Sequence, residues 1–249
     1  MPSTLFNRLK RFLAARLSPE GEFGLHITVG LVLILLAGMA FGEIAEDVVE
    51  GDTITVIDVQ LAHWFRARAT HGFTQAMLFI THWNGIVGTS VMTALLAGWF
   101  AYRKAYYWLI VVVSAVPGGM LLNLVLKHIF RRERPSLDDP LLTLATYSFP
   151  SGHTVAATLF YGVLACYLVR RTLAWRRRAL VVGLACLMVM LVALSRMYLG
   201  VHYLSDVMAA AAEGGAWLAV CVTAVSTLHR RRLARGKSSW SERARFPNH

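Results

Sequence analysis

Charged residues are scarce in this sequence. Asp, Glu, Lys and Arg make up 16% of the 249 residues, whereas hydrophobic residues make up 56%. Soluble globular domains are about 25% charged and about 45–50% apolar. The shortage of charge therefore excludes an ordinary soluble domain and indicates an integral membrane protein.

Cysteine and acidic residues are also few. The three cysteines, Cys166, Cys186 and Cys221, each lie inside an apolar run, which predicts small buried residues rather than disulfides or metal ligands. Only 14 acidic residues oppose 25 basic ones, for a net charge of +11. In a soluble protein this excess would suggest nucleic-acid binding, but basic loops also orient membrane proteins. We therefore predict a bilayer and no nucleic acid as partner.

Six apolar stretches approach the roughly 20 residues that a helix needs to cross a bilayer. The predicted fold is all-α, a six-helix transmembrane bundle. The stretches are Leu25–Gly42, Ile86–Tyr102 (with a possible start near Phe73), Tyr106–Leu126, Thr154–Val169, Ala179–Leu194 and Leu204–Leu228. The first is too long for a typical signal-peptide core and no clear cleavage site follows it, so we expect a retained span.

The basic residues fix the expected orientation. The tail before the first stretch, the two loops after the second and fourth, and the tail after the sixth hold 18 of the 25 basic residues. The positive-inside rule places these four segments in the cytoplasm. We predict basic cytoplasmic tails at 1–24 and 229–249, and one membrane domain at 25–228.

Two outer segments need separate explanations. The pattern of Val56–Arg68 predicts an amphipathic helix. It either lies in the headgroup layer or caps the bundle, and the sequence leaves both interpretations open. Basic residues also gather at two outer span ends, against the orientation rule, and an anionic ligand would explain them. They are Lys127, Arg131, Arg132, Arg134 and Arg196.

Three segments at this outer face predict a phosphate site. Lys127, Arg134 and Arg196 supply cations, and guanidinium groups match phosphate oxygens in pairs. Ser151 and Gly152 stand at a predicted helix start, where free backbone N–H groups attract an anion.

Two histidines and a carboxylate add reactivity to this site. His202 and Asp206 are four residues apart and share a helix face, so the carboxylate is expected to fix the ring tautomer. His202 is then the candidate nucleophile, forming a phosphohistidine, and His153 the general acid and base. We predict a reaction without metal or other cofactor.

These residues resemble the three-part signature of the type 2 phosphatidic acid phosphatase superfamily. The pattern K-x6-R-P, P-S-G-H and S-R-x5-H-x3-D is matched at every position. The matching residues are Lys127, Arg134, Pro135, Pro150, Ser151, Gly152, His153, Ser195, Arg196, His202 and Asp206. The resemblance implies a helical bundle, vanadate as a competing phosphate mimic, and the residue roles given above. Together with the orientation rule, it leads us to expect a site on the outer side of a bacterial inner membrane.

The expected activity is hydrolysis of a lipid phosphomonoester or diphosphate. By analogy with bacterial relatives, undecaprenyl diphosphate is the first expectation, with phosphatidic acid and phosphatidylglycerophosphate close behind. A carrier or flippase that binds the phosphate without cleaving it is an alternative, and a phosphotransferase to an alcohol is another.

Four residues outside the signature have open roles. Glu213 either holds helices together, which we favour, or contacts substrate, and Asn123 is expected to pack inward. Arg131 and Arg132 either contact a second phosphate or a lipid headgroup, or lie in a solvated loop.

Overall fold

The computed structural model describes residue 7 and residues 25–136, 141–142, 144 and 146–245, with side chains other than those of 26 and 234–245. The described chain is all-α, as predicted. Its helices are α1 (Leu25–Glu50), α2 (Thr53–Ala67), α3 (His71–Trp83), α4 (Ile86–Tyr102), α5 (Tyr106–Phe130), α6 (Gly152–Arg171), α7 (Trp175–Tyr198) and α8 (Leu204–Arg245).

Five of these helices are long and apolar enough to cross a membrane: α1, α5, α6, α7 and α8. The helices α3 and α4 pass the same test together, with a bend of 48° at the break between them. They supply a sixth, broken span. The prediction of a multi-pass helical bundle is confirmed, and the second span does begin near Phe73.

Two helices extend past their apolar stretches. The acidic residues Glu43, Glu46, Asp47 and Glu50, which follow the predicted first stretch, continue α1 to Glu50. The segment after Leu228 continues α8 to Arg245, so it is helical from the membrane domain outward. Backbone hydrogen bonding carries a helix past the last apolar residue, and a pattern based on hydropathy marks only the part suited to lipid. The predicted tail at 1–24 lies outside the described residues except for Asn7.

Small residues let the helices approach closely. A Cβ on Gly119 of α5 would lie 2.3 Å from Leu159 Cδ1 of α6 and 2.9 Å from Trp217 Cδ1 of α8. A Cβ on Gly30 of α1 would lie 2.0 Å from Thr223 Oγ1 of α8. Side chains at these glycines would push the helices apart, which is the usual reason for small residues at membrane helix contacts. The buried core lies between α4, α5, α6 and α8.

The short helix α2 packs on one end of the bundle. Its buried residues Asp58 and Ala62 are four apart and share one face, while Val56 and Trp64 are exposed. Phe65 packs on Tyr198 at the end of α7. These contacts agree with the interpretation that α2 caps the bundle.

Candidate active site

The ends of α5 and α7 and the starts of α6 and α8 meet at one end of the bundle, beneath α2. Lys127 in the last turn of α5 donates from Nζ to the carbonyl oxygens of Tyr147 and Ser148, at 2.7 and 3.2 Å. Arg134 donates to Thr146 O at 2.6 Å and to Tyr147 O at 3.1 Å. Lys127 and Arg134, two of the three predicted phosphate-binding cations, thus also fix the loop that leads into α6.

Arg134 links this loop to His202. Its Nη1 donates to Val201 O at 2.6 Å and lies 3.3 Å from His202 Nε2. His202 Nδ1 lies 3.3 Å from Asp206 Oδ2. A guanidinium can only donate and an ionised carboxylate can only accept. Both contacts are satisfied by one neutral tautomer, in which Nδ1 carries the proton and the lone pair of Nε2 accepts from Arg134. Nε2 is therefore the unprotonated nitrogen, the one that could attack an electrophile.

The carboxylate of Asp206 is fully buried and has several donors. Oδ2 accepts the Tyr203 N–H at 2.8 Å and the Ser148 hydroxyl, in addition to His202. Oδ1 accepts from Arg132 Nη1 at 2.7 Å. Donors to a carboxylate favour its charged form, so this residue is held as an anion beside His202.

Arg196 has the largest side chain among those that are fully buried, with 1% exposure. Its Nη1 donates to Thr81 Oγ1 at 2.5 Å. Its Nε and Nη2 have no hydrogen-bond partner among the described residues. A buried charge is normally paired, so two unpaired nitrogens on a guanidinium indicate a place for an anion.

His153 and Gly152 occupy the first turn of α6. A Cβ on Gly152 would lie 3.9 Å from Lys127 Cε, and one on Gly85 would lie 3.5 Å from His153 Nε2. His153 is within electrostatic range of His202, Arg196, Arg134 and Lys127. The structure therefore places residues of the three segments close to one another.

The expected role of the Ser151 N–H group needs correction. This group donates to Asp206 O at 3.1 Å, and Ser151 is fully buried. It joins α6 to α8 and is not available to an anion. The first helical N–H bond within α6 is Val155 N to Ser151 O, so the preceding groups from Gly152 onward have no helical partner and point out of the helix end.

Burial dominates the electrostatics of the loop residues. It lowers the pKa of His202 well below its ordinary value of 6.5, and this effect exceeds the opposing influence of Asp206. His202 is consequently neutral at physiological pH, the form that a nucleophile requires. Burial also lowers the pKa of Arg134, although the charge of Asp206 opposes this.

Several contacts escaped the sequence prediction. Arg132 was expected to contact a phosphate or lipid headgroup or to lie in a solvated loop, and the solvated-loop interpretation is wrong. It donates to the carboxylates of Asp58 and Asp206, at 2.7 Å each. Thr81 and Ser148, the partners of Arg196 and Asp206, were also missed, as was Ser205. The available signal in the sequence was Asp58, the one acidic residue of α2, which the structure buries.

Glu213 makes a contact between helices. Asn123 Nδ2 of α5 donates to Glu213 Oε2 of α8 at 3.0 Å, and both residues are buried. Asn123 Nδ2 also lies 3.4 Å from Pro150 O, at the entrance to α6. This geometry agrees with the favoured helix-holding role. Arg131, by contrast, is exposed and donates to His128 O at 3.0 Å.

Comparison with known proteins gives a consistent family. Residues 106–230, half of the chain, match the model of the PAP2 superfamily. Phosphatidylglycerophosphatase B of Bacillus subtilis (strain 168) is 38% identical over 113 residues, which is 45% of this chain. The match spans only 55% of that relative's length.

Solved structures share the architecture. The crystal structure of a transmembrane PAP2-type phosphatidylglycerolphosphate phosphatase from Bacillus subtilis superposes with a TM-score of 0.64 and 27% identity, covering 77% of this chain and 93% of that one. The structure of Aquifex aeolicus LpxE gives a TM-score of 0.53 with 21% identity, covering 67% of this chain and 94% of that one. The second likeness concerns the fold alone.

Proposed function

The chain belongs to the PAP2 superfamily, and we propose that it is a lipid phosphatase that hydrolyses a phosphate ester through a phosphohistidine on His202. One observation carries the proposal: the same site contains a buried Arg196 with unpaired nitrogens and a His202 whose contacts favour the nucleophilic tautomer. The guanidinium of Arg196 is suited to bind an anion, and the imidazole of His202 is suited to attack an electrophile.

In the first step, His202 Nε2 attacks phosphorus and the bond from phosphorus to the ester oxygen breaks. A proton from His153 passes to the leaving oxygen, which remains on the lipid. Lys127, Arg134 and Arg196 stabilise the charge on the equatorial phosphoryl oxygens. Asp206 stabilises the positive ring through Nδ1–H.

In the second step, water attacks phosphorus and the bond to Nε2 breaks. His153, now neutral, accepts the proton of the water, and inorganic phosphate leaves. The donor set offers little to a divalent cation, because three cationic side chains surround the site and Asp206 is already held by Arg132. We therefore propose a reaction that requires no metal.

The substrate is proposed to be a lipid phosphomonoester or diphosphate of the inner membrane, reached from its extracytoplasmic side. The similarity to phosphatidylglycerophosphatase B supports phosphatidylglycerophosphate as the first substrate to test. Undecaprenyl diphosphate, for which the leaving group would be the lipid monophosphate, is the second. Both place a phosphate at the end of an apolar tail, as a site at one end of a membrane bundle requires.

A panel of lipid phosphates assayed in EDTA tests the proposal. Purified protein in detergent is expected to release inorganic phosphate from at least one of phosphatidylglycerophosphate, phosphatidic acid and undecaprenyl diphosphate. His202→Ala is expected to release none, and His128→Ala, an exposed histidine at the end of α5, is the matched control with wild-type rates.

Three results would count against the proposal. Phosphate binding without release by either form would favour a carrier. Phosphate transferred to an added alcohol in preference to water would favour a phosphotransferase. Activity that vanishes in EDTA and returns with a divalent cation would refute the metal-independent reaction.

A further inference from the structure

A buried ionic cluster joins α2 to the candidate active site. Arg132 Nη2 donates to Asp58 Oδ2 and Nη1 donates to Asp206 Oδ1, both at 2.7 Å. The side chain of Arg132 is 14% exposed and both carboxylates are fully buried. A fork that holds one carboxylate at each terminal nitrogen fixes their separation and orientation.

Two further contacts restrict the guanidinium of Arg132. Nη1 also donates to Ser205 Oγ at 2.7 Å, and the carbon Cζ lies 4.4 Å from the centre of the Tyr203 ring. Burial opposes the charge, but the carboxylates of Asp206 and Asp58 raise the pKa of Arg132 above its ordinary value. The cation is thus firmly held, although nothing in the family signature specifies it.

Asp58 holds the other side of the cluster. Its Oδ1 accepts the Ser205 backbone N–H at 2.9 Å, and its Oδ2 accepts the Ser205 hydroxyl. The helix α8, which carries Asp206, therefore has its first turn bonded to a carboxylate from α2, 147 residues earlier in the chain. The residues of α2 lie outside the segment 106–230 that matches the family model.

We propose that Asp58 and Arg132 are positioning residues of the reaction: Arg132, held by Asp58, occupies one oxygen of Asp206 and turns the other toward Nδ1 of His202. The inference rests on the proposed function and assigns α2 to the active site. Without Asp58, the full charge of Arg132 would act on Asp206 alone and its fork could rotate. Asp206 would then stabilise the imidazolium and the Nδ1–H tautomer less well.

Single-turnover kinetics of purified full-length variants test this role. A rate constant for phosphate release does not depend on the fraction of folded enzyme, whereas the amplitude does. Asp58→Asn is expected to reduce the rate constant about 10-fold, and Arg132→Gln about 100-fold, as for other partners that orient reacting groups. The KM is expected to change little, because neither residue is among the proposed phosphate-binding cations.

Coupling between the two residues is the stricter requirement. The double variant Asp58→Asn/Arg132→Gln is expected to lose no more than Arg132→Gln alone, whereas independent effects would multiply to about 1000-fold. Asp52→Asn at the N-cap of α2 and Arg131→Gln beside Arg132 change exposed residues in the same way and are expected to keep wild-type rates. Ser205→Ala removes only an uncharged hydroxyl from the cluster, so it leaves no charge without its partner. We expect its rate constant for phosphate release to fall several-fold.

The outcomes are distinct. Lower amplitudes with unchanged rate constants would show a purely structural cluster and overturn the inference, as would multiplicative effects in the double variant. If Asp58→Asn and Arg132→Gln do not fold, an unchanged rate constant in Ser205→Ala would overturn it. An inactive wild type would refute the proposed function itself, and the positioning role with it.

Discussion

Replacing Arg196 by methionine should make the protein more stable and nearly inactive. The guanidinium is buried, and its Nε and Nη2 lack partners among the described residues. A buried charge without a counterion opposes folding, and replacing buried ionic groups by apolar ones of similar volume is neutral or stabilising by about 1–4 kcal/mol. For a domain of this size each kcal/mol corresponds to roughly 2–4 °C in Tm.

The loss of activity should be larger than the gain in stability. Removing one donor that stabilises a transition-state oxygen costs about 10²–10³ in kcat, and Arg196 offers two unpaired groups. We therefore expect Arg196→Met to lose at least about 10²-fold in kcat/KM. Arg196 would thus lower the stability of the ligand-free protein and yet be required for the reaction, as expected where stability is given up for function.

Thermal denaturation without vanadate measures the change in stability, and the shift in Tm with vanadate measures the binding of a phosphate mimic. A ligand that binds only the folded state stabilises it by about 2.7 kcal/mol at 100 times its Kd. Vanadate should raise the Tm of the wild type and leave that of Arg196→Met almost unchanged. Arg177→Met, an exposed residue on the same helix, is the control and should behave as the wild type. Wild-type vanadate affinity or kcat/KM in Arg196→Met would refute the assignment of Arg196 to the anion.

Three further predictions concern the histidine and its surroundings. Asp206→Asn should lower kcat by about 10⁴, because an amide can donate to Nδ1 and so favour the wrong tautomer; rates within tenfold of the wild type would contradict the tautomer argument. Since burial lowers the pKa of His202 below 6.5, the unfolded state binds the extra proton as pH falls through that value, and stability should decrease with it. The loss in Tm between pH 7 and pH 5 should be smaller in His202→Gln, and an equal loss would refute the pKa direction. Glu213→Gln keeps an acceptor for Asn123, so its kcat/KM should stay within a few-fold of the wild type; a loss of 10²-fold or more would instead indicate a role in substrate binding or catalysis.

The spans and the catalytic set could be predicted because they depend on local patterns. Long apolar runs specify helices in lipid whatever their partners, and alternating spans bring the ends of α5 and α7 to the starts of α6 and α8. His202 and Asp206 share one local segment, so their contact follows from spacing. The ends of α1 and α8 were missed because helical hydrogen bonding continues where hydropathy falls.

The cluster around Arg132 could not be predicted in the same way. Its partner Asp58 is 74 residues distant, and no local pattern relates them. The direction of Arg132 depends on Arg131, which ends α5 in the left-handed conformation with φ of 49° and turns the chain. The assignment of the Ser151 N–H to an anion was wrong for the same reason. This group donates to the carbonyl oxygen of Asp206 in α8, and no local pattern indicates that contact.

Rapid acid-free quenching of the enzyme with a ³²P-labelled lipid phosphate tests the central claim most directly. The account predicts a labelled intermediate that is stable in alkali and labile in acid, that maps to His202, and that is absent in His202→Ala. Its rate of decay should match turnover when water attack limits the reaction. Turnover by the wild type with the label on another residue, or undiminished turnover by His202→Ala, would contradict the account.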